Sequence, residues 1–233
     1  MDFADWEPVY EQILADFGYG RDGDKQARDR LATLLDSDTF EPSQLDFGDE
    51  TVAIAGGAGS LTEQAELVTA RNADTVVAAS IAADRLREHG IAVDCMVTDL
   101  DKNPDTVREL TEEDTPVAVH AHGDNVPTLS EWIPTLDAEF VIPTTQAEPA
   151  DGVRNFGGFT DGDRAAFFAD ALGAAELVFP GWAFDDPTVS TEKRHKLQWA
   201  ERLLYWLERR RSERFGVLDG RRDAIDTAGL PVE

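Results

Sequence analysis

Val93-Asp94-Cys95-Met96-Val97-Thr98-Asp99-Leu100-Asp101 is the stretch from which the rest of the chain can be read. Its apolar first half predicts a buried strand. Two carboxylates arrive where that strand runs out, and Lys102, Asn103 and Pro104 then turn the chain toward a helix. Acids at i and i+2 on an extended segment point to one side. At the carboxyl edge of a parallel sheet, where open α/β folds bind their ligands, such a pair can share a hard cation such as Mg2+. In a chain this rich in Asp, a solvated acidic turn explains the same residues, and the sequence leaves both readings open.

Working outward, the same alternation recurs on both sides. Upstream, Thr51-Val52-Ala53-Ile54-Ala55 predicts a strand running into Gly56-Gly57-Ala58-Gly59-Ser60-Leu61, and Thr75-Val76-Val77-Ala78-Ala79 predicts the next, followed by a helix that Gly90 stops. Downstream, Pro104 opens a short helix with Val107 and Leu110 inward. Val117-Ala118-Val119-His120-Ala121 is a fourth strand, opening into His122-Gly123-Asp124-Asn125, where Asn125 is expected to cap a helix over 126–136. Strands follow at 140–143 and 176–179, with an Ala-rich helix between them and a long helix over 192–215 that ends in Arg209, Arg210, Arg211 and Arg214. Strand and helix repeated at these lengths predict an α/β fold with a mostly parallel open sheet and flanking helices. The division expected is an N-terminal helical extension over 1–48, an α/β catalytic domain over 49–215 and a polar, poorly packed tail over 216–233. Within the extension, apolar residues at helical spacing fall in two segments separated by a break at 18–23. Its aromatics raise the expectation of packing on the main domain or on a second subunit, as in a homodimer.

The chain has 233 residues, 42% of them hydrophobic, so it can bury a full core. Against 21 Lys and Arg stand 47 Asp and Glu, a formal net charge of -26, and the acids are spread over nearly every segment. This resembles the surface of proteins from extreme halophiles, where salt screens the self-repulsion. It argues against nucleic acid and against an anionic membrane as partners. An anionic small substrate stays open, provided cations neutralise it locally. The single cysteine, Cys95, lies inside the predicted strand as a small buried hydrophobe and excludes an internal disulfide. With no basic leader and no long apolar run, a cytoplasmic protein is expected.

Four loops fall at strand ends: 56–60, 99–103, 120–125 and 159–164. Their convergence at one sheet edge would make a site. A strand, a glycine loop and a helix can aim backbone N–H groups at a phosphate, and Ser60 with Glu63 has capping-box spacing; the dinucleotide fingerprint and the Walker lysine are both absent. His120 and His122 stand at i and i+2, too few for a usual zinc set, so His122 reads better as a substrate or phosphate contact. Thr160 and Asp163 again have capping-box spacing. Asp161 is less easily explained by capping. With Asp99 and Asp101 it could hold Mg2+ against a polyphosphate, while Arg164, Lys193 or Lys196 neutralises the transferring group.

Together, Gly57-Ala58-Gly59-Ser60-Leu61, Val97-Thr98-Asp99-Leu100-Asp101, His120-Ala121-His122-Gly123-Asp124-Asn125 and Gly158-Phe159-Thr160-Asp161-Gly162-Asp163-Arg164 resemble the motifs of the archaeal 6-hydroxymethyl-7,8-dihydropterin diphosphokinases. The resemblance covers roughly residues 51–207. It implies a Rossmann-like core similar to that of thiamine pyrophosphokinases, and transfer of diphosphate from ATP to the pterin hydroxymethyl group with release of AMP, in folate or methanopterin biosynthesis. It implies Mg2+ on Asp99 and Asp101, Thr160 and Asp161 near the nucleotide, and Gly57, Gly59 and Ser60 near the substrate or its phosphates. Where thiamine pyrophosphokinases have Ala-Asp-Gly after the second strand, this chain has Ala79-Ser80-Ile81. That departure weakens a thiamine assignment and removes one acid from the expected metal shell. A thiamine diphosphokinase, an Asp-x-Asp nucleotide-sugar glycosyltransferase and a non-catalytic nucleotide-binding protein remain the alternatives.

Overall fold

A computed structural model describes residues 1–35 and 39–232. Among these, six strands form one open, fully parallel sheet in the order β5-β4-β3-β2-β1-β6: β1 Thr51–Ala55, β2 Thr75–Ala79, β3 Cys95–Thr98, β4 Val117–Ala121, β5 Val141–Thr145 and β6 Glu176–Val178. The α/β reading therefore holds. From β1 the strands step outward one by one to β5, and the chain then returns to place β6 on the other side of β1. That reversal is the topological switch point, the usual ligand crevice of such sheets.

Residues alternate across the sheet as the two-residue strand period demands. Val52, Ile54, Val77, Cys95, Val97, Ala118 and Ile142 face one core, shared with α1 (Phe3–Phe17), α7 (Asp161–Ala171) and α8 (Thr191–Arg211). Ala53, Ala55, Val76, Ala78, Met96 and Val119 face the other, covered by α2 (Arg21–Leu34), α3 (Gln64–Asn72), α4 (Ala82–Glu88), α5 (Pro104–Glu112) and α6 (Val126–Trp132). Trp6 of α1 stacks on Trp206 of α8 at 6.3 Å, so the amino-terminal helix enters the main core. Cys95 is fully buried, as its place in the strand predicts.

Several local expectations are corrected. The helix break is Gly18–Gly20, because α2 already begins at Arg21; Gly23 lies in its first turn, where a Cβ would stand 3.1 Å from the Gly123 Cα. Glycine is needed there for two backbones to cross. Ser60 does not cap a helix: residues Gly59–Thr62 form a 3-10 turn, and α3 starts at Gln64. α6 ends at Trp132 and gives way to a 3-10 turn at Ile133–Thr135, since Pro134 cannot continue the α-helical ladder. The tail is polar but packed. Leu218 and Leu230 are buried, and Arg222 forks onto the Glu208 carboxylate at 2.8 and 2.6 Å while donating to the Phe215 carbonyl at 2.7 Å. Its arginines find acids on α8, which composition alone hides. No helix among the described residues is long and apolar enough to cross a membrane.

Candidate active site

The turn after β3 carries the site's first two acids. β3 ends at Thr98, so Asp99 and Asp101 do not lie on an extended strand as their spacing suggests; Leu100 between them adopts a left-handed conformation at φ 67°. For a bulky residue that conformation is unfavourable. Two local bonds and burial hold it. The Leu100 N–H donates to Thr98 Oγ1 at 3.0 Å, the Asp101 N–H to Asp99 Oδ1 at 3.2 Å, and the Leu100 side chain is 1% exposed. The reversal brings the two carboxylates to the same place by a turn rather than by strand alternation.

Asn125 braces this turn from the next loop. It holds the N-cap position of α6, as expected, but its side chain makes no cap bond: its amide Nδ2 donates to the Asp99 carbonyl at 3.0 Å and to the His120 carbonyl at 2.7 Å, and its Oδ1 accepts the His122 N–H at 3.0 Å. The ends of β3 and β4 are thereby tied together. His122 Nε2 stands 3.4 Å from Asp99 Oδ2, and the Asp124 N–H lies 3.5 Å from its Nδ1, which leaves Nε2 to carry the proton facing the acid.

The third acid comes from the start of α7. Asp163 is fully buried and accepts from the Thr160 N–H at 3.0 Å and from the Thr160 hydroxyl at 2.7 Å, and also from the Phe159 N–H. It is the N3 member of a capping box whose N-cap is Thr160. Asp161, free of that duty, aims its carboxylate at Asp99 and Asp101, and ligand oxygens of all three lie within 4.8 Å of one another. Arg164 is pinned between Asp161, at 3.2 Å from Nη1, and Gln146, at 3.1 Å from Nη2. Gln146 in turn donates to the buried Asp24 at 2.9 Å, which also accepts from Tyr10 at 2.5 Å and from the Gly123 N–H at 2.8 Å.

Crowding shows in the acid strengths. Burial, then the neighbouring Asp99 charge, pushes Asp161 up to about 7 against the pull of Arg164 and Lys102. Burial works the same way on Asp99, but hydrogen bonds from His122 and Asp101 and the charge of Arg164 outweigh it and hold Asp99 well below the usual carboxylate range. Asp101 is raised, first by desolvation and then by Asp99. Partial desolvation opposes the Lys102 charge, yet the three acids outweigh it and raise its pKa. Two like charges at this spacing repel by on the order of 3 kcal/mol in a partly screened site. A divalent cation would turn that repulsion into binding. Three convergent carboxylates with no nitrogen or sulfur donor suit a hard ion such as Mg2+. His120, by contrast, is buried, donates from Nδ1 to Thr144 at 3.1 Å and stays outside the acid group.

Two cavities meet at the acids. The larger, about 650 Å³, is walled by the 18–20 turn, the first residues of α2, Asp99, Asp101, His122 and Arg164 and reached by Lys196. The smaller, about 180 Å³, lies at the switch point between residues 56–58 and Trp182. Thr160, Asp161, Lys102 and Lys193 line both. Of the glycine loop, Gly57 reaches the small cavity, whereas Gly59 and Ser60 line neither. Two of the loop's N–H groups are spent within the protein, Gly56 N–H on the Pro180 carbonyl at 2.9 Å and Ala58 N–H on that of Gly181 at 3.0 Å, while Arg85 donates to the Gly57 and Ala58 carbonyls at 2.7 and 2.5 Å. A Cβ on Gly56 would meet the Gly181 carbonyl at 2.5 Å. Sequence reasoning missed Lys102, Tyr19, Trp182, Gln146 and Asp24 as site residues. Lys102 directly follows the acid pair and Tyr19 sits between two glycines, both usable signals; Gln146 and Asp24 carried none.

Residues 25–188 match the model of the family described as 6-hydroxymethylpterin diphosphokinase MptE-like. A protein of Methanothermobacter thermautotrophicus named 6-hydroxymethyl-7,8-dihydropterin pyrophosphokinase is 36% identical, the alignment covering 90% of this chain and 96% of the relative. Proteins of the same name are 37% identical in Pyrococcus furiosus, over 89% of this chain and 95% of the relative, and 29% identical in Methanocaldococcus jannaschii, over 89% and 96%. With the acids, the switch-point crevice and near full-length similarity all in agreement, the chain belongs to the MptE-like 6-hydroxymethylpterin diphosphokinase family.

Proposed function

We propose that this protein transfers a diphosphoryl group from ATP to the hydroxymethyl oxygen of 6-hydroxymethyl-7,8-dihydropterin. The observation that carries the reading is the acid triad at the junction of two cavities, with Lys102 and Lys193 lining both. A two-substrate group transfer needs that arrangement: one compartment for each partner and the charge-handling groups between them.

The hydroxymethyl oxygen attacks the β-phosphorus and gives up its proton to solvent as the new O–P bond forms. The bond from that phosphorus to the α,β-bridging oxygen breaks, and its electron pair leaves on AMP. Asp99, Asp101 and Asp161 would hold Mg2+, which supplies positive charge to the phosphate oxygens when bound. Lys102, Lys193 and Lys196 bring further positive charge to the same space. Arg164 is held by Asp161 and Gln146 and so presents a fixed charge. His122 and Asn125 orient Asp99 through its side chain and carbonyl. Such transfer rests mainly on alignment and electrostatic stabilisation, so the absence of a single conspicuous base is no obstacle.

The test is AMP formation by pure protein with ATP and Mg2+, the acceptor being supplied in turn as the dihydropterin, thiamine or a sugar-nucleotide system. AMP release that requires the dihydropterin supports the reading. Release that requires thiamine instead, or none with any acceptor, rejects it.

A further inference from the structure

We propose that the two cavities divide the substrates ring by ring: the switch-point slot takes the adenine of ATP, and the large cavity takes the pterin ring beneath Tyr19. The inference rests on the function proposed above and deepens it.

Size limits the slot to a ring. At about 180 Å³ against 650 Å³, it can house a fused heterocycle but not the phosphates as well. Its walls are the Gly56–Ala58 backbone, Ile81, Trp182, Val189 and Leu197. Trp182 is fixed there by donating to the Ile54 carbonyl at 2.8 Å and by contact with Gly56 and Gly162, at either of which a Cβ would strike the indole at 2.8 or 2.7 Å. Ser80 is 4% exposed, and its hydroxyl has no hydrogen-bond partner among the described residues. The Asp186 carboxylate at the rim is already engaged by the Thr188 N–H at 2.8 Å and hydroxyl at 2.6 Å. Apart from the Lys102, Thr160, Asp161 and Lys193 that it shares with the large cavity, the slot offers apolar walls and one spare hydroxyl, which suits a ring with few polar groups to satisfy.

Adenine is that ring. The 2-amino-4-oxo edge of a pterin lines up an amino group, a ring N–H and a carbonyl, and burial against Ile81, Val189 and Leu197 would strip them of water without replacement. The large cavity is the more polar of the two: Asp24, Gln146, Arg164 and His122 line it, and their bonds to one another and to neighbouring groups leave further donor and acceptor positions for such an edge. Over it stands Tyr19, 37% exposed, with one face stacked on Phe17 at 5.3 Å. A tyrosine already backed by another ring is positioned to stack a flat ligand. Lys102, Thr160, Asp161 and Lys193 line the passage between the compartments, so a nucleotide seated by its adenine leads its phosphates over Asp161 toward Asp99 and Asp101. The pterin hydroxymethyl group meets them from the opposite side.

Equilibrium binding tests the division independently of turnover, with α,β-methylene-ATP plus Mg2+ and with 6-hydroxymethyl-7,8-dihydropterin as separate probes. Val189→Trp fills the slot and should weaken the nucleotide analogue about tenfold or more while moving the pterin by less than about twofold. Ser80→Ala, too small a change to disturb folding, should weaken the nucleotide alone by about three- to tenfold. Tyr19→Ala should do the reverse, weakening the pterin about three- to tenfold through lost stacking. The opposite pattern, or equal affinity of all three variants for both probes, overturns the division. Wild-type protein that binds both probes but forms no AMP refutes the proposed activity and leaves the division to be judged by the same variants.

Discussion

The turn after β3 and the first turn of α7 present acids to the same point, yet they are built on opposite plans. At α7 the backbone is relaxed: Asp163 takes the capping duty with three donors, and Asp161 is left free to face the site. After β3 the backbone is strained, with Leu100 at φ 67°, and no separate residue caps it; Asp99 binds its own neighbour's N–H and is steadied from outside by Asn125 and His122. At α7 a companion residue absorbs the structural demand and leaves Asp161 to the site, whereas Asp99 holds its own turn and faces the site at once. Function and stability should therefore separate cleanly at adjacent positions.

The largest expected effect is on turnover. Asp99→Asn and Asp161→Asn should each lower kcat by about 10²- to 10³-fold, since charge stabilisation is lost where it is needed in the transition state. Without metal Asp161→Asn should melt no lower than wild type, because one member of a repelling group has gone, whereas Asp99→Asn gives up the His122 and Arg164 interactions that favour its charge and should melt lower. Saturating Mg2+ at about a hundred times its Kd should add about 2.7 kcal/mol to the wild type and far less to the variants. Thermal melts with and without Mg2+ check this, and equal metal stabilisation in all three proteins would dissolve the distinction between the acids.

Asp163→Ala should show the converse. Removing a buried acceptor that serves two N–H groups and a hydroxyl should cost about 2–3 kcal/mol of stability, read by urea unfolding, with Mg2+ stabilisation of the folded protein retained. Leu100→Gly probes the strained turn. Relief of the left-handed backbone returns about 1 kcal/mol, but loss of a buried leucine costs about 2–4, so the net expectation is a destabilisation of about 1–3 kcal/mol. A variant more stable than wild type would show that the turn, not the side chain, dominates.

The smallest effect concerns His120 behind the site. Burial, then the charges of Arg164 and His122, holds its pKa well below the ordinary value despite the opposing Asp99, so the folded protein keeps it neutral while the unfolded chain protonates it near pH 6.5. The unfolded state then binds more protons, and stability falls as the pH drops below that value, by up to about 1.4 kcal/mol per unit from this residue. His120→Gln should flatten the stability profile between pH 6.5 and 5 relative to wild type. An identical slope would assign the acid sensitivity elsewhere.

Much of this was legible in the residues. Short β-branched and Ala-rich runs separated by helical spacing gave the parallel sheet, because burial on both faces leaves a strand no polar positions to spare. The acid pair was visible but its geometry was not, since i, i+2 spacing suggests an extended segment where Leu100 makes a turn; the Thr160-Asp163 capping box was visible because it is local chemistry, decided within four residues. Asn125 misled for the same reason. Its place before Pro127 fits a helix cap, but the β3 and β4 ends lie close enough in space to claim its amide first.

By itself, then, the sequence determined the strands, the helix starts that depend on nearby side chains, and the acids that any site here would use. Tertiary structure decided what those acids face. It brought residues 18–24 to wall the large cavity, laid Trp182 against Gly56 and Gly162 to shape the small one, and joined Asp24, Gln146 and Arg164 into one chain of bonds, one of which links residues 122 positions apart. Local propensity records only near neighbours, whereas a cavity is made of whatever the packing of distant segments leaves unfilled.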